Sequence, residues 1–168
     1  MSNRARLYDE IQPLIKLCKA GRLFEVQDWI KSGDPINLAL PPEKGRHRKT
    51  PLEVAIESGF HSLVQVLLEA GADVDYPTHS PVAHALMKRR LDLVKLLAKH
   101  GADIHMVGML PAFETWDPEI MEWFIEQGVD CETDYPLAKA LCERIRTALG
   151  VFKRHKNRFP SFPEQLNF

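Results

Sequence analysis

The spacing of proline and glycine constrains this chain more than any other feature. Pro13 and Gly33, Pro51 and Gly71, and Pro81 and Gly101 are each 20 residues apart, and Pro111 and Gly128 are 17 apart. The steps from Pro51 to Pro81 and from Pro81 to Pro111 are both 30 residues. Proline suits the first position of a helix, where its missing N–H has no partner to lose. Glycine suits the residue after a helix, because it enters the left-handed region without a Cβ penalty. Between each pair lies an apolar stripe at helical spacing: Leu23, Val26, Trp29 and Ile30; Leu63, Val64, Leu67 and Leu68; Val94, Leu96 and Leu97; Ile120, Met121, Phe124 and Ile125. A unit of this size cannot bury its apolar face alone, so the period predicts an array in which neighbours cover one another.

The clearest copy, "TPLEVAIESGFHSLVQVLLEAGADVD", starts at Thr50, an N-cap residue whose hydroxyl can accept an orphan backbone N–H. Gly59 divides it into two helices. This copy, at 50–75, resembles the ankyrin repeat, whose pattern runs T-P-L-H-x-A, a central Gly, V-x-x-L-L, then G-A-D-V/I-N/D. "SPVAHALMKRRLDLVKLLAKHGADIH", at 80–105, is similar in the same register, and 13–37 and 110–132 are divergent copies. The resemblance covers about Ile11 to Asp134. It implies an all-α helical-repeat solenoid of helix–turn–helix units joined by projecting hairpin fingers, to which the residues at the chain ends add an N-terminal cap and a long C-terminal helix. Residues 1–158 read as one domain: a cap 1–12, repeats 13–49, 50–79, 80–109 and 110–134, and a capping helix 137–156.

Departures from the pattern modify that expectation. Glu53 and Ala83 stand where the family has His, so its usual capping hydrogen bonds are not assumed. The 30-residue step falls short of the family's ~33, which shortens the fingers after Gly71 and Gly101. The fourth unit, "FETWDPEIMEW", has lost three residues around its inter-helix turn. Its first helix should be stunted and its second capped by Asp117 ahead of Pro118. Trp116 is expected to plug the space left by the missing turn, the alternative being an anchor on the concave side. Trp29, Leu67, Leu97 and Phe124 share one slot of successive second helices and are assigned to the core, with Trp123 one residue off it.

At the chain ends the grammar changes. Leu7, Tyr8 and Ile11 can form a helical turn over the first repeat. From Leu137 to Lys156 the apolar residues Leu137, Leu141, Ile145, Ala148, Leu149 and Phe152 lie on one face of a single long helix. Ser161-x-x-Glu164 with Pro163 has the form of a helix start, and Phe159, Phe162 and Phe168 have little to pack on. Residues 159–168 therefore read as a tail or the beginning of a further unit, and the chain as the N-terminal piece of a longer protein.

Composition narrows the function classes. The formal net charge of −1 gives no global attraction to nucleic acid or anionic membrane. No stretch approaches the ~20 apolar residues that span a bilayer, and the N-terminus has no signal-peptide run. Three cysteines, Cys18, Cys131 and Cys142, lack metal-like spacing and fit free thiols in a reducing, cytoplasmic setting. The seven histidines are scattered over different units. There is no phosphate loop or nucleophile motif. The reading is therefore non-enzymatic, with no cofactor and no metal; composition leaves the oligomeric state open, and a monomer is the favoured expectation.

Three features carry the functional expectation. The segment "EKGRHRK", 43–49, lies in a longer finger, 41–49, in which Pro41-Pro42 stiffen the approach and Gly45 permits a sharp turn. It is either a contact loop for an acidic partner surface or a phosphate, or a solvated loop. Charge is also segregated: Trp116 to Asp134 holds seven acids and no Lys or Arg, while Lys139 to Arg158 holds seven bases against Glu143 alone. Either the two segments pair, or the basic one tracks phosphates. The neighbouring acids and the absence of interleaved aromatic or amide residues argue against nucleic acid. By the resemblance, finger tips and first-helix ends contact protein partners. Carried over to this chain, those positions are Lys19, Ala20, Lys49, Glu57, Ser58, His79, Met87, Lys88 and Met109, with Tyr76 and Met106 in the short fingers. The expected partner-binding set is Lys19, Arg46, Arg48, Lys49, Glu57, Tyr76, His79, Met87, Lys88 and Met109. Met87 and Met109 could equally fill gaps between units. The alternative at the level of function is a regulatory or targeting segment of a larger enzyme or effector.

Overall fold

The computed structural model describes residues 4–5, 8–38, 49–75, 80–132 and 146–159. The described residues form helices α1 (Tyr8–Lys19), α2 (Leu23–Lys31), α3 (Pro51–Ser58), α4 (His61–Glu69), α5 (Pro81–Met87), α6 (Leu91–Lys99), α7 (Ile104–Val107), α8 (Leu110–Glu114), α9 (Pro118–Glu126) and α10 (Arg146–Arg154). A 3-10 turn, Lys156–Arg158, follows α10. The fold is the expected all-α repeat architecture. Its strand content among the described residues is a two-residue parallel ladder, β1 (Arg4–Ala5) on β2 (Asn37–Leu38).

Two compact units divide the chain: Met1–Lys88 with Asp92–Ala102, and Arg89–Leu91 with Asp103–Phe168. In the first unit α1 packs against α3 and α3 against α5, while α2 packs against both α1 and α4. First helices thus lie side by side in chain order, the arrangement that lets each repeat cover its neighbour's apolar flank. Leu63, Val64, Leu67 and Leu68 of α4 are buried as the stripe predicts, as are Val94 and Leu97 of α6. Leu93 joins them, and Leu96 is only half-buried.

Trp29 departs from its core assignment. It is half-buried, along with Leu23 and Ile30 on the same helix, and its indole Nε1 donates to the Pro35 carbonyl at 3.0 Å. α2 packs against α1 and α4, and its remaining flank, which carries the exposed Phe24 and Asp28, meets water. Trp123 is half-buried, as its off-slot position implies.

Thr50 caps α3 as expected, and Glu53 does more than the family comparison led us to assume. The Glu53 N–H donates to Thr50 Oγ1 at 3.2 Å, and the Thr50 N–H donates to Glu53 Oε2 at 2.7 Å, a reciprocal capping box. The side chain that replaces the family's His therefore supplies a cap of its own. Its Oε1 lies 3.9 Å from His84 Nδ1 on α5, so this fully buried carboxylate also reaches the next repeat.

At the N-terminus, α1 begins at Tyr8 and runs through Pro13, so Pro13 does not open it. Pro13 and Asp9, whose carbonyl loses its donor, are both exposed, and water can replace that bond. Tyr8 and Ile11 lie in α1, as the expected helical turn requires, while Arg4 and Ala5 upstream of them are extended and pair with the first finger. Arg4 also reaches the second finger, with its guanidinium 3.0 Å from Asp73. Asn37 stitches the same two fingers by donating to Gly71 O and accepting from the Asp73 N–H, both at 2.9 Å.

In the second unit the truncated repeat behaves as its missing residues imply. α8 is five residues long, and Asp117 Oδ1 accepts from the Glu119 N–H at 2.9 Å to open α9. α9 packs against both α8 and α10. α10 carries the described part of the expected long helix, and residues 137–145 lie outside the described set. Phe159, expected to lack partners, is 1% exposed. Its ring stands edge-on to Phe152 at 4.4 Å and 6.4 Å from Phe113, closing an aromatic cluster around which the chain turns after α10. The third finger is not a simple turn either, because Asp103 accepts from the His105 and Met106 N–H groups and nucleates the short α7.

Candidate functional site

Lys19, Glu57 and Met87 each stand two residues before the left-handed residue of the inter-helix turn, Gly21, Gly59 and Arg89, so they are equivalent positions. Lys19 closes α1, Glu57 stands one residue before the end of α3, and Met87 closes α5. Because α1, α3 and α5 are neighbours in order, these three side chains make one row, with Lys88 beside Met87. Lys19 and Lys88 are exposed, Glu57 is half-buried, and Met87 is 80% exposed. A methionine so open to water lies outside any packing gap, which removes the gap-filling alternative for this residue.

Lys49 enters the row from the side. It directly precedes the Thr50 cap, and its Nζ sits 2.7 Å from Glu57 Oε2. The two expected contact residues therefore satisfy each other, in an exposed pair of the kind worth ~0–1 kcal/mol. A partner carboxylate can take over Lys49 at little cost.

Met109 must be removed from the contact set. It is 2% exposed, at the residue before α8, so its thioether fills core volume and offers no area to a partner. Arg46, Arg48, Tyr76 and His79 lie outside the described residues, as do 41–48 of the basic finger. Met106, noted in the sequence as a finger residue, is 84% exposed on α7.

Sequence reasoning missed several exposed apolar side chains. Phe24 is 77% exposed and Phe60 43% exposed. The signal for Phe24 was present, since equivalent positions of the other second helices hold Ser62, Asp92 and Glu119. Trp116 is 52% exposed and does not plug the truncated repeat. The buried side chains just before this turn are Phe113 and Thr115.

The chemistry of the described residues is that of a binding surface. Among them, no group of three His, Cys, Asp or Glu residues could hold a metal ion. Cys18 and Cys131 are free, buried thiols; burial pushes Cys18 up to about 12, and burial, partly offset by Arg158, pushes Cys131 up to about 11. Thiols so poorly ionised are weak nucleophiles at neutral pH. Of the basic C-terminal segment, Arg154 pairs with Glu122 of α9, its Nε 2.8 Å from Oε1, so this charge is spent on the neighbouring acidic helix. No described helix is long and apolar enough to cross a membrane.

Comparison with known proteins agrees with this geometry. The family model described as ankyrin repeats (3 copies) matches residues 9–107. The mouse B-cell lymphoma 3 protein homolog is 30% identical over 119 residues, covering 57% of this chain and 25% of that protein. Human ankyrin repeat and KH domain-containing protein 1 is 34% identical over 58 residues, 34% of this chain and 2% of that protein. The chain thus spans a quarter or less of the length of these relatives.

Proposed function

Because the chain belongs to the ankyrin-repeat family, whose repeats are protein-interaction modules, we propose that it is a non-catalytic scaffold that docks a protein partner along the row of first-helix ends. The contact residues are Lys19, Lys49, Glu57, Met87 and Lys88, with Arg46 and Arg48 of the basic finger, Tyr76 and His79 beside them. The observation that carries this reading is Met87, held 80% exposed at the end of α5 beside the exposed Lys88. A flexible thioether gives adaptable contact area. The flanking Lys19, Lys49 and Lys88 favour a partner with an acidic surface. Stacked helices hold these groups in place before the partner arrives, so little ordering entropy opposes association. No cofactor is required, and the protein works as a cytoplasmic monomer.

The test is capture of partners from native lysate by the wild-type chain and by the variant Lys19→Glu, Met87→Ala, Lys88→Glu, followed by calorimetric titration of the captured protein. These are exposed positions, so the melting temperature should stay nearly constant, within about 0.5 kcal/mol of stability per site. Affinity should fall at least tenfold, or about 1.4 kcal/mol. Equal capture and equal affinity would remove the row from the partner interface.

A further inference from the structure

The N-terminal segment Arg4–Ala5 runs parallel to Asn37–Leu38, with Arg4 opposite Asn37 and Ala5 opposite Leu38. Such a pairing is weak in itself. It is two residues long, parallel pairs are the less stable kind per residue, and among the described residues no third strand supports it. The Arg4 side chain adds the fixing contacts. One guanidinium nitrogen donates to Leu38 O at 3.4 Å, and the other stands 3.1 and 3.0 Å from the two carboxylate oxygens of Asp73. The side chain therefore spans the first and second fingers. A lysine carries a single nitrogen and lacks the fork that meets both acceptors.

The acceptors are held in place by the repeats themselves. Asn37 donates to Gly71 O and accepts from the Asp73 N–H, so its amide fixes the spacing of the two fingers. Leu38 and Ala72 are buried, and the Ala72 N–H donates to Leu67 O at 2.9 Å, which ties the second finger to α4. The occupant is held far less firmly than the edge that receives it. The Arg4 and Asp73 side chains are 37% and 27% exposed, and an ion pair so open to water favours closure by about fivefold at most. A preorganised edge thus carries a strand that can leave it.

We propose that this edge, Asn37–Leu38 with Asp73 beside it, is a strand-addition site for an extended, arginine-bearing protein segment, and that Arg4–Ala5 fill it in cis. The segment now seated there defines the ligand: a parallel backbone for the ladder, and an arginine opposite Asn37 whose guanidinium bridges Leu38 O and Asp73. Backbone pairing supplies affinity, and the arginine supplies register and selectivity. An incoming segment displaces the N-terminal one, so its apparent affinity is reduced by the fraction of molecules in which the edge is free. The site lies on the fingers and uses none of the residues of the first-helix row, so it stands or falls independently of that row.

The test uses the full chain and labelled acetyl-Ser-Asn-Arg-Ala-Ser-Leu-amide, which follows residues 2–7 with Ser in place of the second arginine. The control peptide has Lys for Arg and the same charge. Fluorescence anisotropy reads binding, and hydrogen exchange over residues 35–39 reads whether the edge is covered. Arg4→Glu should speed exchange there, leave the melting temperature nearly unchanged, and bind the arginine peptide about fivefold more tightly than the wild type does, because the competing strand is released. Saturating arginine peptide should restore the slow exchange, and the lysine peptide should bind more weakly. Asp73→Arg should open the edge as Arg4→Glu does, yet bind neither peptide. Equal affinity of the wild type and Arg4→Glu for the arginine peptide overturns the proposal, as does unchanged exchange over 35–39. Equal binding of the two peptides to Arg4→Glu overturns it too, since that result marks attraction of charge alone.

Discussion

Arg89 and Gly21 occupy the same turn slot with opposite consequences. Arg89 is exposed with φ +53°, so its side chain contributes little packing to offset the backbone strain. Arg89→Gly should stabilise the protein by about 1 kcal/mol in urea denaturation, the cost of a left-handed residue with a Cβ less the extra freedom glycine has when unfolded. Gly21 has φ +68°, and a Cβ placed there would stand 2.6 Å from the Phe60 ring of the next repeat. Gly21→Ala should therefore cost about 2 kcal/mol or more, from strain and overpacking together. No change in either variant would mean that the turn relaxes freely. The same scale shows what sequence reading reaches. Thr50-x-x-Glu53 has the form of a capping box and is one. Met87 and Met109 look alike in the sequence but are 80% and 2% exposed, because exposure is set by which neighbour packs over the residue.

The helices were legible where period and punctuation agreed. α3, α5 and α9 start at Pro51, Pro81 and Pro118, and the shortened α8 follows from the deletion before Asp117. Elements whose stability comes from tertiary contact were not. The ladder of β1 on β2 is two residues long, too short for any alternation to register. α7 exists because Asp103 caps it inside a finger. Phe159 found its partners only once α10 had turned back. That packing carries a prediction: Phe159→Ala removes a fully buried ring from contact with Phe152 and should cost about 3–5 kcal/mol. Urea unfolding monitored by near-ultraviolet circular dichroism reads it. A loss under 1 kcal/mol would mean that the segment after α10 is a tail.

At the scale of the molecule, the period of the sequence announced mutual shelter between repeats, and α1, α3 and α5 of the first unit pack in that order. The row of proposed contact residues exists because those helices hold one another, so its geometry is only as rigid as the stack. Which partner the row meets was not legible, because a repeat scaffold fixes where side chains stand and leaves their complement to another chain. The most direct measurement is native-state hydrogen exchange on Ile56→Ala, which opens a cavity in the fully buried face of α3. Nearest-neighbour coupling predicts that amides of α1 and α5 lose protection together with those of α3 and α4. Loss confined to α3 and α4 would contradict it, and would mean that each helical pair stands by itself.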